Sequence, residues 1–177
     1  EVLQEISDIF PFHASVSAEV VGDTVEEMLE MADDYIEIGP NITIKVPLTP
    51  EGLKVCKELS DDDVSVNVTL CFSTAQAILA AKAGAAYVSP FVGRVYDQSF
   101  DGLKLIEEIT DVYATHKQKT EVLAASIRDV HQVASCFRVG ADICTIPAKI
   151  FSGMYKHILT DQGVEKFNDD WSKLVGG

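Results

Sequence analysis

The stretch Asn41-Ile42-Thr43-Ile44-Lys45-Val46-Pro47-Leu48-Thr49-Pro50-Glu51-Gly52 predicts a strand followed at once by a helix. Its apolar, β-branched run over residues 42–46 is typical of a buried strand in a parallel sheet. Thr49 is a suitable helix N-cap, Pro50 fits the first helical position, and Glu51 places an acid in the first turn. A strand joined by a short loop to a helix is the basic unit of an α/β fold.

The same strand–helix unit recurs along the sequence. Six runs are predicted as strands, at residues 12–20, 42–46, 64–70, 86–89, 121–125 and 142–145. Amphipathic runs are predicted as helices, at residues 1–9, 24–35, from 50 onward, 74–82, 101–116, 129–137, 148–157 and 162–174. Strands that alternate with helices indicate a parallel sheet with helical crossovers.

Two helix-to-strand junctions repeat the same residues. Gly84-Ala85 and Gly140-Ala141 each end a predicted helix just before a strand, a position that glycine favours. This weak internal repeat favours a (β/α) barrel over a flavodoxin-like open sheet. Short loops throughout predict a single domain over residues 1–177. The sequence has neither G-x-G-x-x-G nor G-x-x-x-x-G-K, which argues against a nucleotide-phosphate loop.

The composition excludes several kinds of partner. The 177 residues carry a net charge of −14, so a nucleic-acid partner is not expected, because phosphate backbones require basic faces. No apolar run approaches the ~20 residues of a membrane span, so no membrane partner is predicted. The four cysteines have neither C-x-x-C nor zinc spacing. We interpret them as small buried residues of a reducing compartment and predict a cytoplasmic protein.

Lys45 is the residue of the quoted strand that needs an explanation. A charged ammonium in a buried strand is costly unless it has a function or a partner. Burial disfavours the charged form of an amine and makes it nucleophilic near neutral pH, as Schiff-base enzymes require. The alternative is a strand-edge lysine whose stem is buried and whose head lies in water.

Other polar residues lie at the carboxyl ends of the predicted strands, where a parallel barrel carries its chemistry. In strand order they are Glu19; Asn67 and Thr69; Ser89 and Arg94; Ser126 and Arg128; and Thr145. Each has a simpler alternative. Glu19 fits a solvated turn acid, Asn67 and Thr69 could satisfy backbone groups, and the arginines could be surface charges.

As a set, these residues predict a reactive site. Lys45 supplies an amine nucleophile and Glu19 a carboxylate for proton transfer. Two of only three arginines, Arg94 and Arg128, follow strand ends, and the arginine fork matches phosphate oxygens. A nucleophile, a base and an anion site point to carbonyl chemistry on a sugar phosphate.

Three segments make the chain resemble the small transaldolase subfamily of class I aldolases. Residues 44–52 resemble the family's Schiff-base strand and the start of the helix after it. Residues 67–77 and 83–94, which end in Val88-Ser89-Pro90-Phe91-Val92-Gly93-Arg94, resemble its signature, and Leu123-Ala124-Ala125-Ser126-Ile127-Arg128 resembles its phosphate-site strand. The resemblance runs from about residue 2 to residue 173.

The resemblance implies an α/β TIM (β/α)8 barrel that needs no metal or organic cofactor. It implies transfer of a dihydroxyacetone unit from sedoheptulose 7-phosphate or fructose 6-phosphate to an aldose phosphate, in the pentose phosphate pathway. Lys45 would form an imine with the ketose, and Glu19 would transfer protons through a water held with Thr69. The implied substrate-binding residues are Asn67 and Ser89 for the three-carbon unit, Phe91, and Arg94, Ser126 and Arg128 for the phosphate.

Fructose-6-phosphate aldolases, which release free dihydroxyacetone, are the nearest alternative. By the resemblance they carry Gln where this chain has Glu19 and Tyr where it has Phe91. Both positions therefore favour a transaldolase.

The sequence departs from the family pattern at its start. The family's first strand carries an acid–base aspartate and its second ends in Thr-Asn-Pro, and neither matches here. A barrel needs eight strands, so we expect the first two to be missing from the chain as given. The chain could lack an amino-terminal segment, come from a partial reading frame, or be a non-catalytic remnant; we favour the first two explanations.

The family also implies a homo-oligomer, a pentameric or decameric ring, in which the terminal helix at residues 162–175 packs on a neighbouring subunit. Phe167 and Trp171 on that helix have helical spacing that suits such packing. By periodicity alone they fit the intrachain core equally well.

Overall fold

The structure, a computed structural model, describes residues 2–10 and 14–176. Its elements are α1 Val2–Ile9, β1 Val16–Glu19, α2 Val25–Ile36, β2 Ile42–Pro47, α3 Pro50–Asp61, β3 Val66–Cys71, α4 Thr74–Lys82, β4 Tyr87–Pro90, α5 Val92–Asp97, α6 Gly102–His116, β5 Glu121–Ala124, α7 Val130–Arg138, β6 Ile143–Cys144, α8 Ala148–Gly153 and α9 Ile158–Val175. The residues at 1, 12 and 13 in the predicted first helix and first strand lie outside the described residues.

The six strands form one parallel sheet in the order β1-β2-β3-β4-β5-β6. Each strand pairs with the next one in the sequence, which gives the curled half of a (β/α) barrel. The prediction of an α/β fold with a parallel, barrel-type sheet is confirmed. Because the strands are parallel, all their carboxyl ends lie along one edge of the sheet.

The two faces of the sheet differ in chemistry. The face toward the helices carries aliphatic side chains with no exposed surface, such as Ile44, Val46, Val66 and Val68. They pack with buried residues of the surrounding helices, including Ile106 of α6, into one core. The opposite, concave face carries the alternate, largely polar residues, because successive side chains of a strand point to opposite sides.

The start of α3 has the capping bond predicted for Thr49, and α4 and α7 begin in the same way. The side chains of Thr49, Ser73 and Asp129 each accept a hydrogen bond from a backbone N–H three residues later. After α4, Gly84 adopts a φ of 91°, a left-handed conformation that most other residues disfavour. A Cβ atom there would lie 2.4 Å from the Ser60 hydroxyl oxygen, so this junction depends on glycine.

Two features of the helices differ from the prediction. Helix α5 was not predicted, because it is only six residues long and its N-cap, Phe91, makes no side-chain capping bond. Helix α9 begins at Ile158 instead of residue 162, and α8 ends at Gly153 instead of residue 157. The N-cap of α9 is His157, which accepts from the Leu159 N–H. Histidine is not a common N-cap residue, so the sequence carries no strong start signal there.

Helix α9 has no buried residue. Phe167 and Trp171 are 73% and 66% exposed, so they lie outside the core that the described residues form. None of the described helices combines the length and apolar composition needed to cross a membrane.

The prediction that the cysteines are buried is largely confirmed. Cys56, Cys71 and Cys136 are buried, Cys144 is partly buried, and all four are free thiols. Burial raises the pKa of the Cys56 thiol to about 12, so this side chain remains protonated at neutral pH.

Candidate active site

The register of the sheet brings the predicted residues of the first three strands side by side. Glu19 of β1 lies opposite Lys45 of β2, and Lys45 lies opposite Asn67 of β3. Two residues further along, Thr69 lies opposite Pro47. Residues that are partners in a parallel ladder point to the same side of the sheet. Glu19, Lys45 and Asn67 therefore form one row across the concave face.

Lys45 and Glu19 form an ion pair. The Lys45 Nζ lies 2.8 Å from the Glu19 Oε2, and their side chains are 26% and 49% exposed. The structure therefore gives the strand lysine both a partner and access to solvent. A pair this exposed contributes only about 0.2–1 kcal/mol to stability. The carboxylate and the amine are nevertheless within hydrogen-bond distance, which proton transfer between them requires.

A second pair of predicted residues joins β3 to β4 beside this ion pair. The Ser89 hydroxyl donates to the Asn67 Oδ1 at 2.7 Å, and both side chains are buried. The Asn67 Nδ2 donates in turn to the Ser17 Oγ at 3.5 Å. These bonds orient the amide and the hydroxyl beside Lys45. Asn67 therefore bonds to other side chains, whereas the simpler alternative was that it only satisfies backbone groups.

Thr69 is held in the same region by a distorted strand end. Its hydroxyl is buried and has no hydrogen-bond partner within the described part of the chain. The next residue, Leu70, has a left-handed φ of 59°, and the register between β3 and β4 shifts between Val68 and Cys71. Such irregularities re-aim side chains and cluster at functional sites.

Cys71 ends this distorted strand without becoming reactive. Its thiol is fully buried and donates to the Ser73 carbonyl oxygen. Burial raises the pKa of Cys71 to about 11. A thiol of this kind is a poor nucleophile.

The two predicted phosphate-binding arginines share one cleft. Arg94 of α5 and Arg128, which follows β5, both line a cleft of about 600 Å³ with Phe72, Asp97 and Phe100. The Arg94 guanidinium lies over the Phe91 ring, 4.9 Å from its centroid. Among the described residues Arg94 forms no ion pair, so its charge is available to an anion.

Phe91 belongs to an aromatic wall beside this cleft. Its ring meets the Phe72 ring edge-on, with centroids 5.6 Å apart. Edge-to-face packing of this kind orients both rings. Phe91 also bridges to Ala125 next to β5, so the wall is anchored at the carboxyl end of the sheet.

Ser126 is placed by a tight turn after β5. It has a left-handed φ of 62° and packs against Gly93 of α5. A Cβ atom on Gly93 would lie 2.1 Å from the Ser126 carbonyl oxygen and 2.7 Å from the Arg128 Nε. The missing side chain of Gly93 is what lets Ser126 and Arg128 approach α5.

One charged residue of this region, Asp97, was not predicted from the sequence. The Arg128 Nη2 is 2.7 Å from the Asp97 Oδ2. Asp97 ends α5, the helix that was not predicted, and 31 residues separate it from Arg128. A recognised helix that starts after Phe91 would have placed Asp97 one turn beyond Arg94 and on the same side.

A cavity of about 640 Å³ lies at the opposite edge of the sheet and is not part of this site. Its lining includes Thr120 and Glu121 at the start of β5 and Asp142 just before β6. It contains none of the predicted site residues. Thr145, which follows β6, is exposed.

The Asn67–Ser89 bond leads to a stability prediction. Ser89→Ala removes the donor and leaves a buried amide oxygen unsatisfied, so we expect the free energy of unfolding to fall by about 1–3 kcal/mol. Ser152→Ala, on the exposed side of α8, is the matched control and should stay within about 0.5 kcal/mol. Denaturant unfolding measures both; equal midpoints for the two variants would show that the bond does not stabilise the site.

Comparison with known proteins identifies the family of the chain. The profile of the transaldolase/fructose-6-phosphate aldolase family matches residues 1–177. A protein of Cereibacter sphaeroides named as a probable transaldolase is 53% identical over 173 residues, covering 98% of this chain and 78% of that protein. Probable transaldolases of Paracoccus denitrificans and Caulobacter vibrioides are 50% and 48% identical, with 98% and 97% of this chain and 79% and 78% of those proteins covered. The chain belongs to the transaldolase/fructose-6-phosphate aldolase family of enzymes.

Proposed function

We propose that the chain is a transaldolase that transfers a dihydroxyacetone unit through a Schiff base on Lys45. The donor is a ketose phosphate, sedoheptulose 7-phosphate or fructose 6-phosphate, and the acceptor is an aldose phosphate, as in the pentose phosphate pathway. The observation that carries this proposal is the 2.8 Å contact between the Lys45 amine and the Glu19 carboxylate at the carboxyl ends of adjacent strands.

The proposed reaction begins with attack of the Lys45 amine on the ketose carbonyl. Glu19 carries two protons of the paired Lys45 ammonium, one after the other, to the carbonyl oxygen, which departs as water, and the third proton stays on the nitrogen of the imine. Glu19 then takes the proton of the C4 hydroxyl while the electrons of the C3–C4 bond move into the protonated imine, which gives an enamine and releases an aldose phosphate. The enamine attacks the carbonyl of the acceptor, whose oxygen takes the proton back from Glu19, and hydrolysis of the new imine frees the product ketose.

Thr69 supports a role for water in these proton transfers. Its buried hydroxyl lacks a hydrogen-bond partner among the described residues, and such a group is costly to leave unsatisfied. A water molecule that bridges Thr69 to Glu19 would satisfy the hydroxyl and carry the proton. Asn67 lies beside Lys45, and Ser89 is bonded to Asn67; both would contact the hydroxyls of the three-carbon unit.

The arginine cleft supports a phosphorylated substrate. We assign the phosphate to Arg94, Arg128 and the Ser126 hydroxyl, since two guanidinium groups in one cleft suit a phosphate group. Phe91 would form an apolar wall between this site and Lys45. These positive charges stand out in a chain whose net charge is −14.

Chemical trapping tests the proposal. Borohydride reduces an imine to a stable secondary amine, so incubation with fructose 6-phosphate and borohydride should attach a three-carbon unit to Lys45. Peptide mass mapping locates the adduct, and Lys57→Met, an exposed lysine of α3, is the matched control for Lys45→Met. An adduct on another lysine, or none on Lys45, would refute the imine role and favour a non-catalytic remnant.

A fructose-6-phosphate aldolase is the second candidate, because the matching family includes both activities. The carboxylate of Glu19 beside Lys45 favours transfer over release, following the resemblance described above. We expect purified protein to pass the three-carbon unit to erythrose 4-phosphate faster than it releases dihydroxyacetone from fructose 6-phosphate. Equal rates in a coupled assay would instead make the chain an aldolase.

We also propose a cytoplasmic homo-oligomer, a pentameric or decameric ring built through α9. The helix exposes Ile158, Phe167, Trp171 and Leu174, all at least 66% accessible, and a large exposed apolar surface is typical of an interface. The four free thiols fit a reducing compartment. Sedimentation velocity should show an assembly that Trp171→Glu weakens, whereas a monomer at all concentrations would contradict the ring.

A further inference from the structure

One carboxylate joins the two segments that carry the arginines of the cleft. Asp97 ends α5, three residues after Arg94, and its Oδ2 lies 2.7 Å from the Arg128 Nη2. Arg128 belongs to the segment after β5, and α5 follows β4. The ion pair therefore links the segments that follow two neighbouring strands. Both side chains of the pair are 52% exposed.

Gly93 and Gln132 also fix the position of Arg128. Gly93 is buried, and a Cβ atom there would lie 2.7 Å from the Arg128 Nε. The Arg128 backbone N–H also donates to the Gln132 Oε1 at 2.9 Å. The guanidinium therefore lies along α5, with Nε beside Gly93 and Nη2 on Asp97.

We propose that Asp97 is a positioning residue that orients Arg128 for phosphate binding. An arginine has five N–H donors, and one contact to Asp97 leaves the others for phosphate oxygens. An arginine that is already oriented loses less side-chain freedom when the anion binds. This inference rests on the proposed phosphate site and adds to it the residue that sets the direction of one arginine.

Charge alone predicts the opposite effect. Asp97 is negative and lines the same cleft as Arg94 and Arg128, so its removal makes the cleft more positive. If charge dominated, variants without the Asp97 carboxylate would bind phosphate more tightly. If orientation dominates, as we propose, they bind it less tightly. The sign of the change in affinity therefore separates the two effects.

The test is the dissociation constant for inorganic phosphate, measured by ³¹P NMR titration. We expect Asp97→Ala to weaken phosphate binding about two- to fivefold, the range that an exposed ion pair supports. Asp97→Asn keeps an acceptor oxygen and should fall between Asp97→Ala and the unaltered protein. Asp61→Ala breaks the comparable exposed pair with Lys57 on α3 and should leave phosphate binding unchanged.

Two further measurements distinguish positioning from general damage. Asp97→Ala should add no loss in an Arg128→Ala background, since Asp97 acts through Arg128. Borohydride trapping of dihydroxyacetone, which has no phosphate, should be unchanged in Asp97→Ala. Should Asp97→Ala fail to fold in a thermal unfolding scan, Asp97→Asn alone carries the test and must still bind phosphate less tightly than the unaltered protein.

The possible failures point to different conclusions. If Arg128→Ala weakens phosphate binding but both Asp97 variants bind as tightly as the unaltered protein or more tightly, the positioning role is overturned and the phosphate site stands. If the unaltered protein binds no phosphate, or Arg128→Ala binds it equally well, the proposed phosphate site fails and the role of Asp97 fails with it.

Discussion

The hydrogen-bonded register between neighbouring parallel strands is the constraint on which the site depends. It sets Glu19 beside Lys45 and Lys45 beside Asn67, although these residues come from separate strand–helix units. A shift of one residue in any of these ladders would turn the polar row toward the helices and bury it in the aliphatic core. The core residues of the opposite face, such as Ile44 and Val68, hold the register in place, because only this alignment buries them.

The difference between the aliphatic and the polar face of the sheet explains how a charged pair lies on an otherwise apolar strand. Lys45 lies between Ile44 and Val46, which have no exposed surface, while its own side chain opens to the concave face. The Glu19 side chain is 49% exposed and retains contact with water. The pair contributes little to folding, so its geometry is better explained by chemistry than by stability.

The local signals in the sequence were sufficient for most of the fold. Thr49 marked the start of α3 because a capping side chain satisfies nearby backbone N–H groups. Helix α5 could not be found this way, since Phe91 caps nothing and the helix has six residues. Without α5, Asp97 had no predicted position, and its contact with Arg128 depends on tertiary packing at Gly93 that no local pattern encodes. The pairing of Lys45 with Glu19 was open for the same reason: the residue types were visible, but the register was not.

We propose that Lys45 reacts with the substrate carbonyl while Glu19 and Asn67 lie on either side of it. The most direct measurement is a crystal structure of the protein after incubation with fructose 6-phosphate and borohydride reduction. We expect electron density that continues from the Lys45 Nζ into a three-carbon unit, whose hydroxyls lie within hydrogen-bond distance of Asn67 and Ser89. An unmodified Lys45 still paired with Glu19, or a sugar fragment attached at another lysine, would contradict it.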